Sequence, residues 1–114
     1  MGIHSRKEER GGRMAYDSKF KKADIDALFE AILALADEED CYRFFEDICT
    51  INELHAIAQR WQVAKLLSEK KTYSEIEELT KASTATISRV NKCLMYGADG
   101  YQRILSRLRE QGKL

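Results

Sequence analysis

Apolar residues recur every three or four positions from residue 24 to residue 109, which is the spacing of one face of an α-helix. Proline is absent, and the six glycines lie outside the periodic segments. The predicted fold class is therefore all-α, with about six helices. We expect them to run from Asp24, as the capping residue, to Ala36, from the acidic run 37–40 to Cys49, from Ile51 to Glu69, from Tyr73 to Thr80, from Thr84 to Met95, and from Tyr101 to Arg109.

Local signals mark several ends of these helices. In a capping box, a Ser or Thr side chain and a Glu three residues later each accept a hydrogen bond from the other's backbone amide. Thr50 and Glu53 have this spacing at the start of the long third helix. For the fourth helix, a box of Thr72 with Glu75 and a box of Ser74 with Glu77 both fit, which leaves its start open by one turn. Gly97 is expected to end the fifth helix in a left-handed conformation.

The first helix is apolar around a wide arc, not along a single stripe. A helix on the surface of a monomer needs only one apolar face. The arc therefore indicates contacts on two sides, either with a second chain or within the core of a monomer. Its apolar residues are Ile25, Leu28, Phe29, Ile32, Leu33 and Leu35.

Residues 72–95 have the pattern of a helix-turn-helix, with two short amphipathic helices joined by a turn at residues 81–83. The apolar positions of both helices should meet in one core. These positions are Ile76, Leu79, Ile87, Val90 and Leu94.

The second helix of this pair has an outer face of small hydroxyl groups, an amide and a cation, without a carboxylate. Small residues let a backbone approach base edges, while hydroxyl, amide and cationic groups bind bases or phosphates. The alternative is a solvated helical face beside a bundle core, because such hairpins also occur without DNA. The candidate DNA-binding residues are Thr84, Ala85, Thr86, Ser88, Asn91 and Lys92.

The charges are sorted along the chain although the net charge is zero. Residues 1–22 have a balance of +4, residues 23–58 a balance of −9, and residues 59–114 a balance of +5. Such asymmetry is typical of an interacting surface. Here the second positive region coincides with the helix-turn-helix.

Several function classes lack support in the sequence. The two histidines, His4 and His55, stand apart, and no Ser-His-acid, Cys-His or phosphate-loop arrangement exists, so an enzyme is not expected. The three cysteines form no C-x-x-C pair, which predicts neither a metal site nor a disulfide. Without an apolar run of about 18 residues or a signal peptide, we expect a cytoplasmic protein with no membrane partner.

Residues 1–22 are predicted to form a flexible basic arm, and residues 23–114 a single helical DNA-binding domain. The arm has seven Lys or Arg residues against three acids, and basic arms assist DNA binding through the phosphates. A solvated or vector-derived leader before Met14 explains the same composition.

The stretch Ala85-Thr86-Ile87-Ser88-Arg89, together with residues 50–67, resembles the tryptophan repressor family and, within it, the small YerC/YecD-like branch. The likeness covers residues 24–109 and includes the helix count, the capped start of the central helix and an arginine in its middle. It implies an intertwined homodimer built from the outer helices, with a helix-turn-helix from each half in successive major grooves. The wide apolar arc of the first helix fits such a dimer.

In that family, an amino-acid corepressor lies between an arginine of the long helix and an arginine of the recognition helix. The matching residues are Arg60 and Arg89, which makes them candidate effector-binding residues. Val90 stands where the repressors have a glycine, and its branched side chain would fill part of the space for an indole. The resemblance therefore leaves room for a small-molecule corepressor but argues against tryptophan.

Three further departures bear on the helix-turn-helix. Lys81 and Ser83 replace glycines of the family's turn, so one non-Gly residue is expected in a left-handed conformation at a cost of about 1 kcal/mol. Ser74 replaces an arginine that contacts bases in the family. We therefore expect Ser74 to lie at the DNA interface with a different sequence preference.

The leading hypothesis is a homodimeric transcriptional regulator that binds specific sequences of double-stranded DNA and acts as a repressor. Its half-sites would be about 34 to 36 Å apart, one turn of the duplex. The alternative is a helical protein-interaction module without a DNA-binding role, in which the acidic helices bind a basic partner. The charge sorting favours DNA.

Overall fold

The computed structural model describes residues 15–114, and these form six α-helices without a strand. This confirms the all-α prediction and the helix count. The described residues fall into two compact units, which divide between Cys41 and Tyr42. The first 14 residues of the predicted arm lie outside the described residues, and the single domain over 23–114 stays a prediction. The helices are α1 Ala23–Leu33, α2 Glu38–Ile48, α3 Ile51–Ser68, α4 Tyr73–Thr80, α5 Thr84–Tyr96 and α6 Gly100–Glu110.

The first helix differs from its prediction at both ends. Its cap is Lys22, whose side chain makes no capping bond, while Asp24 lies in the first turn. The predicted end at Ala36 is wrong because the helix stops at Leu33. The backbone N–H of Ala36 donates to Asp40 Oδ2 at 3.0 Å. This hydrogen bond, which the Asp40 carboxylate accepts, competes with continuation of the helix.

Both capping boxes exist. The Glu53 amide donates to Thr50 Oγ1 at 3.1 Å, and the Thr50 amide donates to Glu53 Oε1 at 2.8 Å, which starts α3 at its predicted residue. At α4, the box beginning at Thr72 forms, with distances of 3.2 and 2.8 Å to Glu75. The structure thereby decides between the two starts that the sequence left open.

We expect Thr72→Ala to lower the free energy of unfolding by about 1 kcal/mol, the usual effect of losing an N-cap side chain. Urea denaturation measures the loss, and Ser74→Ala is the matched control, because Ser74 belongs to the box that does not form. The hydrogen bond from the Thr72 amide lowers the pKa of Glu75. The contribution of this carboxylate to the free energy of unfolding is therefore present at neutral pH and is lost as the pH falls through the lowered pKa. An equal loss in Ser74→Ala would contradict the assignment.

The core of the second unit lies where α3, α4 and α5 meet. Its buried cluster stabilises the helix-turn-helix, because burying each large apolar side chain contributes about 1.5 to 3 kcal/mol to the free energy of folding. Against it packs α6 through Tyr101, whose ring centroid lies 6.3 Å from that of Trp61. The buried cluster consists of Val63, Ala64, Ile76, Ala82, Ile87 and Val90.

Two expectations about the helix-turn-helix are wrong. Leu79 was predicted to face the core, but its side chain is 64% exposed. Gly97 is not left-handed, since its φ is −87°. A glycine fits there for another reason: a Cβ atom would lie 2.5 Å from the carbonyl oxygen of Cys93. The left-handed residue of this connection is Asp99, with φ of 68°.

Candidate nucleic-acid interface

The turn between α4 and α5 contains one left-handed residue, as expected from the missing glycines. Lys81 has φ of 63°, and its amide donates to the carbonyl oxygen of Glu77 at 2.8 Å. Ser83 has φ of −72° and caps α5 instead. The positive φ of Lys81 sets the direction in which the chain enters α5.

Side chains tie this turn to α3. The Thr80 hydroxyl donates to the Ile76 carbonyl at 2.7 Å and accepts from the Ala82 amide at 3.1 Å. Gln59 Nε2 of α3 donates to the Thr80 carbonyl at 3.0 Å. Sequence reasoning missed the role of Gln59, because a glutamine on a helix face gives no signal that separates it from a solvated one. The helix-turn-helix is thus attached to α3 by the hydrogen bond of Gln59 as well as by the core.

The predicted DNA-binding residues of α5 divide according to their exposure. Ile87 and Val90 point into the core, and Thr86 and Asn91 are half-buried beside them. The opposite face is exposed along the helix, as a period of 3.6 residues requires. This exposed face consists of Thr84, Ala85, Ser88, Arg89 and Lys92. Ser74 is also exposed, on the first turn of α4.

The first turn of α5 is held by its cap. Ser83 Oγ accepts from the Thr86 amide at 3.1 Å and donates to Thr86 Oγ1 at 3.1 Å. Because the Thr86 oxygen accepts that bond, its own hydrogen stays available to an acceptor such as a phosphate oxygen. The N-terminus of a helix also favours an anion through its unbonded amides and its dipole.

A carboxylate of α4 reaches the same end of α5. The Thr84 hydroxyl donates to Glu77 Oε2. The sequence predicted a face without carboxylates, which holds for the residues of α5 itself but not for what α4 places beside them. Sequence reasoning used Glu77 only as a capping candidate, since nothing in the spacing of residues 77 and 84 announces a contact between two helices.

The two candidate effector-binding residues, Arg60 and Arg89, are both exposed. Arg60 lies close enough to Tyr101 to act on its phenol: burial raises the pKa of Tyr101, Cys93 adds to the rise, and Arg60 opposes it. Val90 is 2% exposed and belongs to the core cluster. Its side chain thus occupies space between α3 and α5, which agrees with the argument against an indole there.

An open groove lies between α3 and α4, with a volume of about 580 Å³. The exposed Leu79 lines it, whereas neither candidate arginine does. Its other lining residues are His55, Ala58, Gln59, Gln62, Lys65, Leu66 and Thr80.

Over residues 15–114, no three His, Cys, Asp or Glu side chains come together as metal ligands would. All three cysteines have free thiols. No helix in that part of the chain has the length and apolarity to cross a membrane.

Comparison with known proteins agrees with this architecture. The model of the Trp repressor protein family matches residues 23–109. The uncharacterised protein YerC of Bacillus subtilis (strain 168) is 54% identical over 92 residues, which cover 81% of this chain and 88% of YerC. The crystal structure of a TrpR-like protein from Eubacterium eligens ATCC 27750 matches with a TM-score of 0.77 and 54% identity, over 81% of this chain and 95% of that one.

A second solved structure, of a candidate Trp repressor from Staphylococcus aureus, has a TM-score of 0.77 and 49% identity, over 80% of this chain and 91% of that one. Fold, sequence and family model therefore agree, and the resemblance seen in the sequence is confirmed. This chain belongs to the Trp repressor protein family, a family of DNA-binding regulators and not of enzymes.

Proposed function

We propose that the protein is a sequence-specific transcriptional repressor that binds double-stranded DNA as a homodimer, with α5 as its recognition helix. The observation that carries the proposal is the division of α5 into two faces. Ile87 and Val90 anchor the helix in the core, while its opposite face is exposed, has small and cationic side chains, and contains no acid of its own. Family membership does not favour the alternative of an interaction module without DNA binding.

Each predicted DNA-binding residue has a role that fits its place. Thr84 and Ala85, at the start of α5, would approach base edges because small side chains allow close contact. Thr86, Ser88 and Lys92 would bind phosphates and so set the register of the helix on the duplex. Ser74 and Asn91 would lie at the border of the contact.

The homodimer is supported by apolar side chains that the single chain leaves exposed. Neither α1 nor α2 has a buried residue. In the first unit, Phe29 and Leu33 of α1 are exposed, and in the second unit Ile48, Ile51 and Ile57 are exposed. Large apolar side chains exposed in each unit are what a partner would cover, and a two-fold axis lets a second copy do so.

The test of the proposal is selection of bound duplexes from a random pool at two salt concentrations. We expect enrichment of a motif with two related half-sites about one helical turn apart, because a dimer presents two recognition helices. Affinity should fall steeply with added salt, since binding releases counterions from the phosphates. Failure to enrich any duplex at low salt would overturn the proposal.

Lys92→Ala should weaken binding by a similar factor for every duplex, because a phosphate contact does not distinguish sequences. In a dimer, the slope of log affinity against log salt should become shallower by about 2, roughly one for each lost contact. Fluorescence anisotropy with a selected and an unrelated duplex measures both quantities. The control is Lys113→Ala, which removes the same charge near the end of the chain. A slope unchanged by Lys92→Ala would remove Lys92 from the interface.

A further inference from the structure

The first residue of the recognition helix is hydrogen-bonded to a carboxylate of the helix before it. The Thr84 hydroxyl donates to Glu77 Oε2. A carboxylate only accepts hydrogen bonds, so the hydroxyl hydrogen must point towards α4. Thr84 is exposed and Glu77 is half-buried. Both groups therefore lie at the end of α5 that the proposed function places nearest the bases.

In this arrangement, the side chains of Thr84 and Glu77 offer hydrogen-bond acceptors to a ligand but no hydrogen-bond donor. The Thr84 oxygen keeps a free lone pair, and the second carboxylate oxygen of Glu77 also accepts. For Thr84 to donate to a base, its bond to the carboxylate would have to break. Bonds to a charged acceptor are about twice as strong as those between neutral groups. The bonded arrangement is thus the one that meets the DNA.

We propose that Glu77 is a specificity-determining residue that, together with Thr84, selects a cytosine in each half-site, an inference that rests on the proposed function. In the major groove, cytosine presents the N4 amino donor, whereas guanine and thymine present acceptors at this edge. Adenine places an N7 acceptor beside its amino donor, so a carboxylate meets it with partial repulsion. An acceptor-only pair therefore fits cytosine best.

The charge of Glu77 has a second effect, which is separate from base choice. A carboxylate near the duplex repels the phosphates of every sequence alike. Removing this charge should strengthen binding to all duplexes. Base preference, in contrast, changes at one position only, so the two effects can be measured apart.

The experiment compares four duplexes that differ only at the selected position, each titrated with the full chain, Glu77→Gln, Thr84→Val and the control Glu78→Gln. Glu78 is exposed on the same helix, and its substitution makes the same change of charge. The unmodified protein should prefer cytosine by about fivefold or more. Glu77→Gln should move the preference to adenine, because an amide pairs with both N6 and N7. Glu78→Gln should keep cytosine.

Thr84→Val removes the hydroxyl at nearly constant shape, and it should weaken the cytosine preference and reduce the further effect of Glu77→Gln. A midpoint of thermal unfolding equal to that of the unmodified protein shows that each variant is folded. If Glu77→Gln keeps the cytosine preference, or changes all four affinities by one factor, the specificity role is overturned while the proposed function stands. If the unmodified protein enriches no duplex at all, the proposed function fails and the specificity role fails with it.

Discussion

Replacing Leu33 by glutamate is expected to convert the protein from a dimer into a monomer at micromolar concentration. Leu33 is 85% exposed in the single chain, so the substitution removes little packing within it. In the proposed dimer, the partner would cover this side chain, and burying one leucine contributes about 1.5 to 3 kcal/mol. Since the two-fold axis doubles the change, the dissociation constant should rise by about 100-fold or more.

Light scattering measures the outcome directly, as a fall from twice 13.1 kDa to 13.1 kDa. The matched control is Ala27→Glu, which adds the same charge to the exposed face of α1 that carries the small residues Ala23 and Ala31. It should remain dimeric. Dimers of undiminished stability in Leu33→Glu would show that α1 lies outside the interface, and an unmodified protein that is monomeric at all concentrations would contradict the homodimer itself.

Ile87→Ala should lower the free energy of unfolding by about 3 kcal/mol, within the range of about 2 to 5 kcal/mol for truncating a buried isoleucine. Ile87 is fully buried in the cluster that joins α3, α4 and α5. Its truncation leaves a cavity beneath the recognition helix, because the surrounding side chains relax only in part. DNA affinity should fall with it, since the helix loses its anchor.

The control for this change is Leu79→Ala. Periodicity predicts that both residues face the core, but Leu79 is 64% exposed. An exposed position costs at most about 0.5 kcal/mol on truncation. Urea denaturation at one fixed protein concentration compares the two, because the stability of a dimer depends on concentration. Equal losses would contradict the burial described for the helix-turn-helix.

The sequence predicted helix starts better than helix ends. A capping box joins residues three apart, so the sequence marked the start of α3 at Thr50 and narrowed the start of α4 to Thr72 or Ser74. The end of α1 depends instead on Asp40 in the first turn of α2, whose carboxylate accepts a hydrogen bond from the Ala36 amide. A glycine after a helix most often ends it in a left-handed conformation, and this is the role that the sequence predicts for Gly97. Its close approach to the Cys93 carbonyl depends instead on the path of the backbone after the helix.

The candidate interface was predicted in outline and corrected in detail. The exposed face of α5 follows from helical period and from the buried Ile87 and Val90. The carboxylate of Glu77 beside Thr84, and the bond from Gln59 to the turn, connect residues of different helices. The spacing of residues along the chain does not predict such contacts between helices.

By itself, the sequence determined the all-α class, the six helices and the position of the helix-turn-helix, because these depend on hydrogen bonds and apolar periods within a few neighbouring residues. It also determined the family, through the stretch Ala85-Thr86-Ile87-Ser88-Arg89 and residues 50–67. Only the tertiary structure decided that Leu79 is exposed and that Glu77 meets Thr84. Those outcomes depend on the angle at which α5 leaves α4. The left-handed Lys81 and the bonds of Thr80 set that angle, and a change there moves every contact between the two helices.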